Sequence, residues 1–298
     1  MRSSSCLSAR FAALVVLLGV AAACASSPAR HIRLASFKTR VPIAFESDQL
    51  LAKRVLPVPV WHDARVDRIV EMFEQAGCKG EHLHLQNVNG SRDPNVVCTL
   101  PGSSGRRIVV AAHHTRAGEG KGIADDWTDA ALLPALYASL ASSPRHHRYE
   151  FIAFTMAPTF GDASYLYLRD DAALRDSIAA MVWLDFMGVG EIKAWGTRTD
   201  PNLWEDLSAA GNAIGVEVGS ANLLGVSGIH DHSRAFRWFD IPTAYVHTLD
   251  RESQRVISES GRLDLDPSRL DLPAYRRAYR VLAVYLGYID KTLAVRRM

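Results

Sequence analysis

The sequence predicts an α/β fold: a mostly parallel central sheet with helices on both faces. Three observations carry that prediction. First, "RRIVVAA", "YEFIAFT", "AAMVWLDF" and "IPTAYVHTL" are short and rich in β-formers. Such near-continuous apolar runs suit strands buried on both faces. Second, stretches of helical period lie between these strands. Third, strands that alternate with helices of this length need crossover connections, which gives parallel neighbours. No internal repeat, linker or low-complexity tract divides the chain.

The elements follow in order. Arg2 and Arg10 precede the apolar run "FAALVVLLGVAAAC", which ends at Cys24. The run is short for a bilayer span but suits a secretory signal, so residues 1–24 are assigned as one. Residues 25–55 show no strong period and are expected to form an extended lead-in to a single domain over 56–298. In "WHDARVDRIVEMFEQAG", Val66, Ile69, Val70 and Phe73 share a face and Gly77 is a stop, which predicts a helix. "EHLHLQNV" alternates, "DP" turns, and "NVVCTL" returns as a hairpin. After "RRIVVAA", the stretch "DDWTDAALLPALYASLAS" reads as a helix whose acidic start suits the helix dipole. "YEFIAFT" and "AAMVWLDF" flank another helical stretch, and "DPNLWEDLSAAGNAIG" is a further helix before "IPTAYVHTL". Tyr275, Tyr279, Leu282, Leu286, Ile289 and Leu293 make one stripe along a long terminal helix.

The balance of 48% hydrophobic and 22% charged residues is that of an ordinary globular protein. Net charge is +2 with scattered basic residues, so no nucleic-acid surface is expected. "AAAC" followed by "ASS" is similar to a bacterial lipoprotein signal with Cys24 lipidated, although Ala21 stands where Leu is usual. "AAA" also suits ordinary cleavage. The expectation is an exported protein of the periplasm or cell envelope, lipid-anchored or free, with membrane contact only through that anchor. Beyond the signal, two cysteines remain, Cys78 and Cys98. In an oxidising compartment they favour a disulfide over two buried thiols.

Several motifs fail. "GEGKG" lacks the G-x-G-x-x-G spacing of a phosphate loop. "GVSGI" lacks the second glycine of a nucleophile elbow. The doublets His113/His114 and His146/His147 fit no zinc-finger spacing, and the second is expected in an exposed loop. What remains lies beyond the strand ends, where open parallel sheets bind ligands. His113 and His114 follow "RRIVVAA", Asp125 and Asp126 open the next helix, and Asp185 ends "MVWL". A histidine and two carboxylates converging there are donors that zinc accepts.

With these residues in place, the chain resembles the di-zinc aminopeptidases of metallopeptidase family 28, which include bacterial leucyl aminopeptidase, aminopeptidase Y and, more distantly, glutaminyl cyclase. The resemblance runs from about Leu83 to the C-terminus. "RRIVVAAHHT" is similar to the strand before the family's H-x-D. "GIADDWTDAALL" is similar to its G-x-x-D-N-x-S-G helix start, and "YEFIAFTMAPTFGDAS" to the strand before its E-E-x-G-x-x-G-S. "AAMVWLDFMGVG" matches a strand ending in a ligand Asp, and "GIHDHSRAFRWFDIP" the stretch before a late strand. The resemblance implies a zinc-aminopeptidase (phosphorylase/hydrolase-like) fold.

It also implies a half-dismantled site. One zinc would use His113, the bridging Asp125 and Asp185, and all three are present. The other would need a glutamate where Pro158 stands and a late histidine near Ser258 or Glu259. The general base is replaced by Ala157, and the carboxylate that would orient the ligand histidine by Thr115. His247 lies within the preceding strand and is not counted as a replacement. Asp162 is a candidate displaced base or else a turn residue; Trp127 fills space; His230 and His232 belong to a loop near the substrate cleft. One zinc ion at most, or none, is expected, with a peptide or small amide as ligand. Losing a positioned acid/base costs roughly 10²–10⁴ in rate. Three readings follow: an exported protein without normal peptidase activity, a one-zinc exopeptidase or amide hydrolase, and a structural module of the cell envelope.

Overall fold

The computed structural model describes residues 41–115, 122–156, 163–223, 231–260 and 270–296, excluding the side chains of Asp125 and Ser260. Eight strands form one sheet: β1 (Leu83–Gln86), β2 (Asn95–Leu100), β3 (Arg107–His113), β4 (Arg148–Phe154), β5 (Ile178–Asp185), β6 (Lys193–Ala194), β7 (Gly219–Ser220) and β8 (Thr243–His247). Their order is β1-β2-β4-β3-β5-β8-β6-β7. The middle four, β4-β3-β5-β8, are mutually parallel, and β2 and β6 add antiparallel to either side. The apolar runs thus pair as expected, and the carboxyl ends of β3, β4, β5 and β8 lie along one edge. There His113 pairs in register with Phe154, and Asp185 with His247.

Both faces of the sheet are covered, which is why its strands are apolar without alternation. Ile108, Val110 and Ala112 of β3 enter one apolar cluster with α2 (His62–Gln75), α3 (Thr128–Ala141), α6 (Pro201–Ala213) and α9 (Leu272–Val295). Val109 and Ala111 enter a second with α4 (Ala163–Arg169), α7 (Ser233–Trp238) and α8 (Arg251–Ser260). α5 (Ala172–Ser177) leads into β5. All six stripe residues of α9 are buried. The hairpin forms with Leu83 opposite Cys98, and Cys78 and Cys98 are joined by a disulfide. No described helix is long and apolar enough to cross a membrane.

Two local expectations need correction. Part of the extended lead-in is a helix, α1 (Asp48–Val55). The Ser47 hydroxyl accepts from the Leu50 amide, Asp48 sits in the first turn, and Lys53 and Arg54 close the last. These are proper helix signals, but the stretch is short. Burial of Leu51 and Val55 stabilises it, together with Arg54, which grips Glu46 at 2.6 and 2.8 Å and the Met72 carbonyl at 3.0 Å. Residues 41–55 therefore belong to the domain.

The second histidine doublet is not an exposed loop either. His147 is buried, because Asp290 of α9 accepts from the His146 amide and, at 2.7 Å, from the His147 amide. The His147 ring lies 3.2 Å from the same carboxylate. Burial alone would push the Asp290 carboxyl up; the His147 ring and the two amides override it and hold it down at about 2. A depressed folded-state value stabilises the fold above the ordinary 3.8 and loses that contribution as pH falls through about 2. Asp290→Asn is expected to cost about 2 kcal/mol at neutral pH. In urea melts the gap from wild type closes between about pH 4 and pH 2. A gap independent of pH would refute the assignment.

Candidate functional site

β3 and β5 are parallel neighbours, so their last residues, His113 and Asp185, project from the same end of the sheet. His113 Nε2 lies 3.9 Å from Asp185 Oδ1, and both side chains are 1% exposed. Asp185 is held from behind: its Oδ2 accepts from the Tyr245 hydroxyl of β8 and, at 3.4 Å, from Trp183 Nε1. Its Oδ1 is buried and has no hydrogen-bond partner among the described residues.

The other edge of the His113 ring meets Asp126. Gly122, at φ 51°, turns the chain into a single π-helical turn, Ile123–Trp127, ahead of α3. Within it Asp126 has φ 131°. Such a backbone costs a residue other than glycine roughly 1–3 kcal/mol and persists only where its surroundings hold it. Here it brings Asp126 Oδ1 to 2.7 Å from His113 Nδ1, a close ionic contact rather than a well-aligned hydrogen bond. Burial opposes charge on His113, yet Asp126 above all, with Asp185, holds its pKa well above the ordinary value. Burial raises the Asp126 carboxyl, against the pull of His113 and Arg65. Asp129, in the first turn of α3, accepts from the Phe186 and Met187 amides at 3.0 and 2.6 Å and so fixes the chain leaving β5.

Behind Asp126 stands Arg65 of α2, fully buried. It donates to the carbonyls of Pro59 (3.1 Å), His114 (2.9 Å) and Gly122 (3.0 Å), and its Nη1 is 3.9 Å from Asp126 Oδ2. Its guanidinium lies 5.7 Å over the ring of Trp127, which is itself buried and donates to the Val55 carbonyl at 2.9 Å. Arg65 carries no motif, but a signal was present. It precedes Ile69 by one helical turn on an amphipathic helix, so the period that buries Ile69 buries Arg65 too.

The remaining assigned positions scatter. Thr115 Oγ1 accepts from the Met156 amide at 2.8 Å, which ties the exits of β3 and β4 together. Ala157, Pro158 and Asp162, like His230, lie outside the described residues, as does the side chain of Asp125. Ser258 and Glu259 are exposed on α8 and bond within it, to the Gln254 carbonyl and to Arg255. Neither replaces the late histidine. His247 is buried, its pKa lowered to about 3 by burial and the nearby Lys193. His114 is likewise lowered to about 3 by burial, its Nε2 3.1 Å from the Pro94 carbonyl.

His232 lies in the turn before α7, beside His113, and its burial is what the sequence did not show. It is 1% exposed just before α7. Its ring stacks on Phe154 at 5.4 Å and an interplanar angle of 4°, with Trp183 at 5.3 Å and His113 at 5.9 Å. The polar centre therefore has an aromatic wall on the face opposite α3.

Zinc fits part of this arrangement. His113 Nε2 and the unpartnered Asp185 Oδ1 face one another as two donors around one small cation would, and a carboxylate backs the other ring nitrogen. A zinc site generally takes at least three protein ligands, and among the described residues no group of three or more His, Cys, Asp or Glu side chains is placed to hold an ion.

No protein-family model matches the sequence, and no curated protein matches it at a significant level. Solved structures do. The Legionella pneumophila LapA aminopeptidase superposes with a TM-score of 0.62 at 15% identity, over 82% of this chain and 70% of that one. A glutaminyl cyclase from an Acidobacteriales bacterium gives 0.64 at 15%, over 81% and 93%. A Zn-dependent exopeptidase from Parabacteroides distasonis gives 0.59 at 13%, over 81% and 96%. At such identities the likeness is one of fold, and the chain has the α/β fold of zinc-dependent exopeptidases and glutaminyl cyclases.

Proposed function

We propose that this is an exported protein of zinc-aminopeptidase fold, similar to metallopeptidase family 28, that lacks ordinary peptidase turnover and keeps half of a metal centre. The observation that carries the reading is the exit of β4. Thr115 anchors Met156 beside the exit of β3, and the next two residues in sequence stand at the positions where the resemblance expects the catalytic and ligand glutamates. They are Ala157 and Pro158. Alanine cannot move a proton and proline cannot ligate a metal. The exposed, helix-bound Ser258 and Glu259 supply no compensating ligand.

A second reading, a one-zinc exopeptidase or amide hydrolase, is favoured by the buried, unpartnered Asp185 Oδ1 facing His113 Nε2. When bound, zinc would supply Lewis-acid chemistry and a bound water of lowered pKa. What the chain itself supplies is position: Tyr245 and Trp183 fix Asp185, Asp126 meets the far edge of His113, and the aromatic wall keeps water from that side. Lipid anchoring at Cys24 and a peptide or small amide ligand belong to the same proposal.

The test is hydrolysis of aminoacyl-nitroanilides by the purified chain with added zinc. The expected result is no release of nitroaniline above the zinc-only control. Metal-dependent turnover abolished by His113→Ala would overturn the first reading and support the second.

A further inference from the structure

The loop between β1 and β2 carries the one asparagine–glycine pair in the chain, Asn89–Gly90. The Ser91 amide donates to the Val88 carbonyl at 3.0 Å and closes a four-residue turn over Val88–Ser91. Gly90 is its third residue, at φ 78°. A side chain there would be strained, so the turn selects glycine. That choice leaves the Gly90 amide nitrogen without the shielding that a Cβ would give. Val88 is buried, whereas Asn89 and Gly90 are exposed at the tip of the turn. Among the described residues, neither the Asn89 carboxamide nor the Gly90 amide has a hydrogen-bond partner. We infer that Asn89 is a deamidation site, converted without an enzyme to aspartate and to its β-linked isomer, isoaspartate.

The step needs only water. The Gly90 nitrogen, its proton taken by hydroxide, attacks Asn89 Cγ. The N–Cγ bond forms, the Cγ–Nδ2 bond breaks, and Nδ2 leaves as ammonia with a proton from water, which returns the hydroxide. A second water opens the five-membered imide at either carbonyl and leaves a carboxylate on the side chain or on the former backbone. The other asparagine of the loop provides the contrast. Asn87 is exposed as well, but Val88 follows it, and a β-branched side chain crowds the nitrogen that would attack. Beyond the tip, the Ser91 hydroxyl lies 2.9 Å from Thr155 Oγ1 and donates to the Met156 carbonyl at 3.0 Å, so the turn is fastened to the exit of β4. Asn89 itself lines a cleft with Gln86, Asn95, Tyr167, Arg169 and Asp170. Deamidation adds a negative charge to that cleft and, as isoaspartate, lengthens the backbone of the turn by one carbon.

Deamidation at this turn depends on neither export nor zinc, so its test leaves the proposed function untouched. The purified chain is held at physiological temperature in mildly acidic and in mildly alkaline buffer. Samples are digested with trypsin beside a zero-time control and read by mass spectrometry. The peptide spanning residues 80–92 carries both Asn87 and Asn89. The expected change is a gain of one mass unit, localised by fragmentation to Asn89, faster in the alkaline buffer, and split between two chromatographic isomers of equal mass. Asn89→Gln is expected to show no gain over the same period, because glutamine would have to close a six-membered ring. Wild type unfolded in urea is followed in parallel, as the chain without its fold. A gain that appears only in urea would mean that the turn holds the Asn89 side chain away from the Gly90 nitrogen, and would overturn the assignment. A gain at Asn87 in place of Asn89, or a gain that persists in Asn89→Gln, would overturn it as well.

Discussion

Arg65→Met is expected to lower the unfolding free energy by about 3–5 kcal/mol, the usual cost of removing one member of a buried charged set. Methionine matches the volume of the stem but donates nothing. Three carbonyls, of Pro59, His114 and Gly122, then lose this donor; Gly122 keeps the Trp127 amide at 3.2 Å, while the buried His114 carbonyl carries the cost of an unmet acceptor. Asp126 also loses its fixed cation. Arg65→Lys should recover only part, because one ammonium cannot reach three carbonyls that the planar guanidinium spans. Arg68→Met, on the same helix, is the control: its pair with Glu71 is solvent-exposed and worth about 0–1 kcal/mol. Urea unfolding of the three variants checks this, with mid-point and slope reported together. A loss below about 1 kcal/mol for Arg65→Met, the range of a surface pair, would mean that the carbonyls find other donors and that Arg65 braces nothing.

That Arg65 escapes motif reading while the strands do not has a physical cause. A strand buried on both faces is a local property: "RRIVVAA" and "AAMVWLDF" announce themselves because every side chain must be apolar. The long terminal helix is legible for the same reason, its stripe matching one face. The fold class, the hairpin and the Cys78–Cys98 pairing were thus readable from the chain. His113 and Asp185 were readable as strand-end residues at one edge of a parallel sheet. The centre itself was not, because its parts converge from α2, the turn before α3, β5, β8 and the start of α7. The approach of Asp126 to His113 depends on the left-handed Gly122 and on its own positive φ, which no local pattern announces. The burial of His232 was not legible because it depends on Phe154 and Trp183, which are remote in sequence. α1 was missed because its stability comes from Glu46, Met72 and the body of the domain rather than from its own period.

Replacing both Cys78 and Cys98 by alanine is expected to cost about 3 kcal/mol, from the closure entropy of the loop between residues 20 apart. The cost acts through the unfolded chain, so it needs no change in the native sheet. Cys78 follows the end of α2, and Cys98 stands opposite Leu83 in the hairpin. The bond therefore joins the helix that carries Arg65 to the antiparallel edge of the sheet. Both cysteines are fully buried, so a reductant acts only after unfolding. Urea unfolding of wild type should shift to lower denaturant when dithiothreitol is present, and the shift should be absent in the double variant. At roughly 2–4 °C per kcal/mol for a domain of this size, thermal melts should separate the oxidised wild type from the variant by about 6–12 °C. Identical mid-points with and without reductant would mean that the thiols are free in the purified protein. If the separation appears while zinc affinity is unchanged, the disulfide stabilises the fold without setting the geometry around His113. That is the outcome expected from its place at the hairpin, on the far side of β4 from β3.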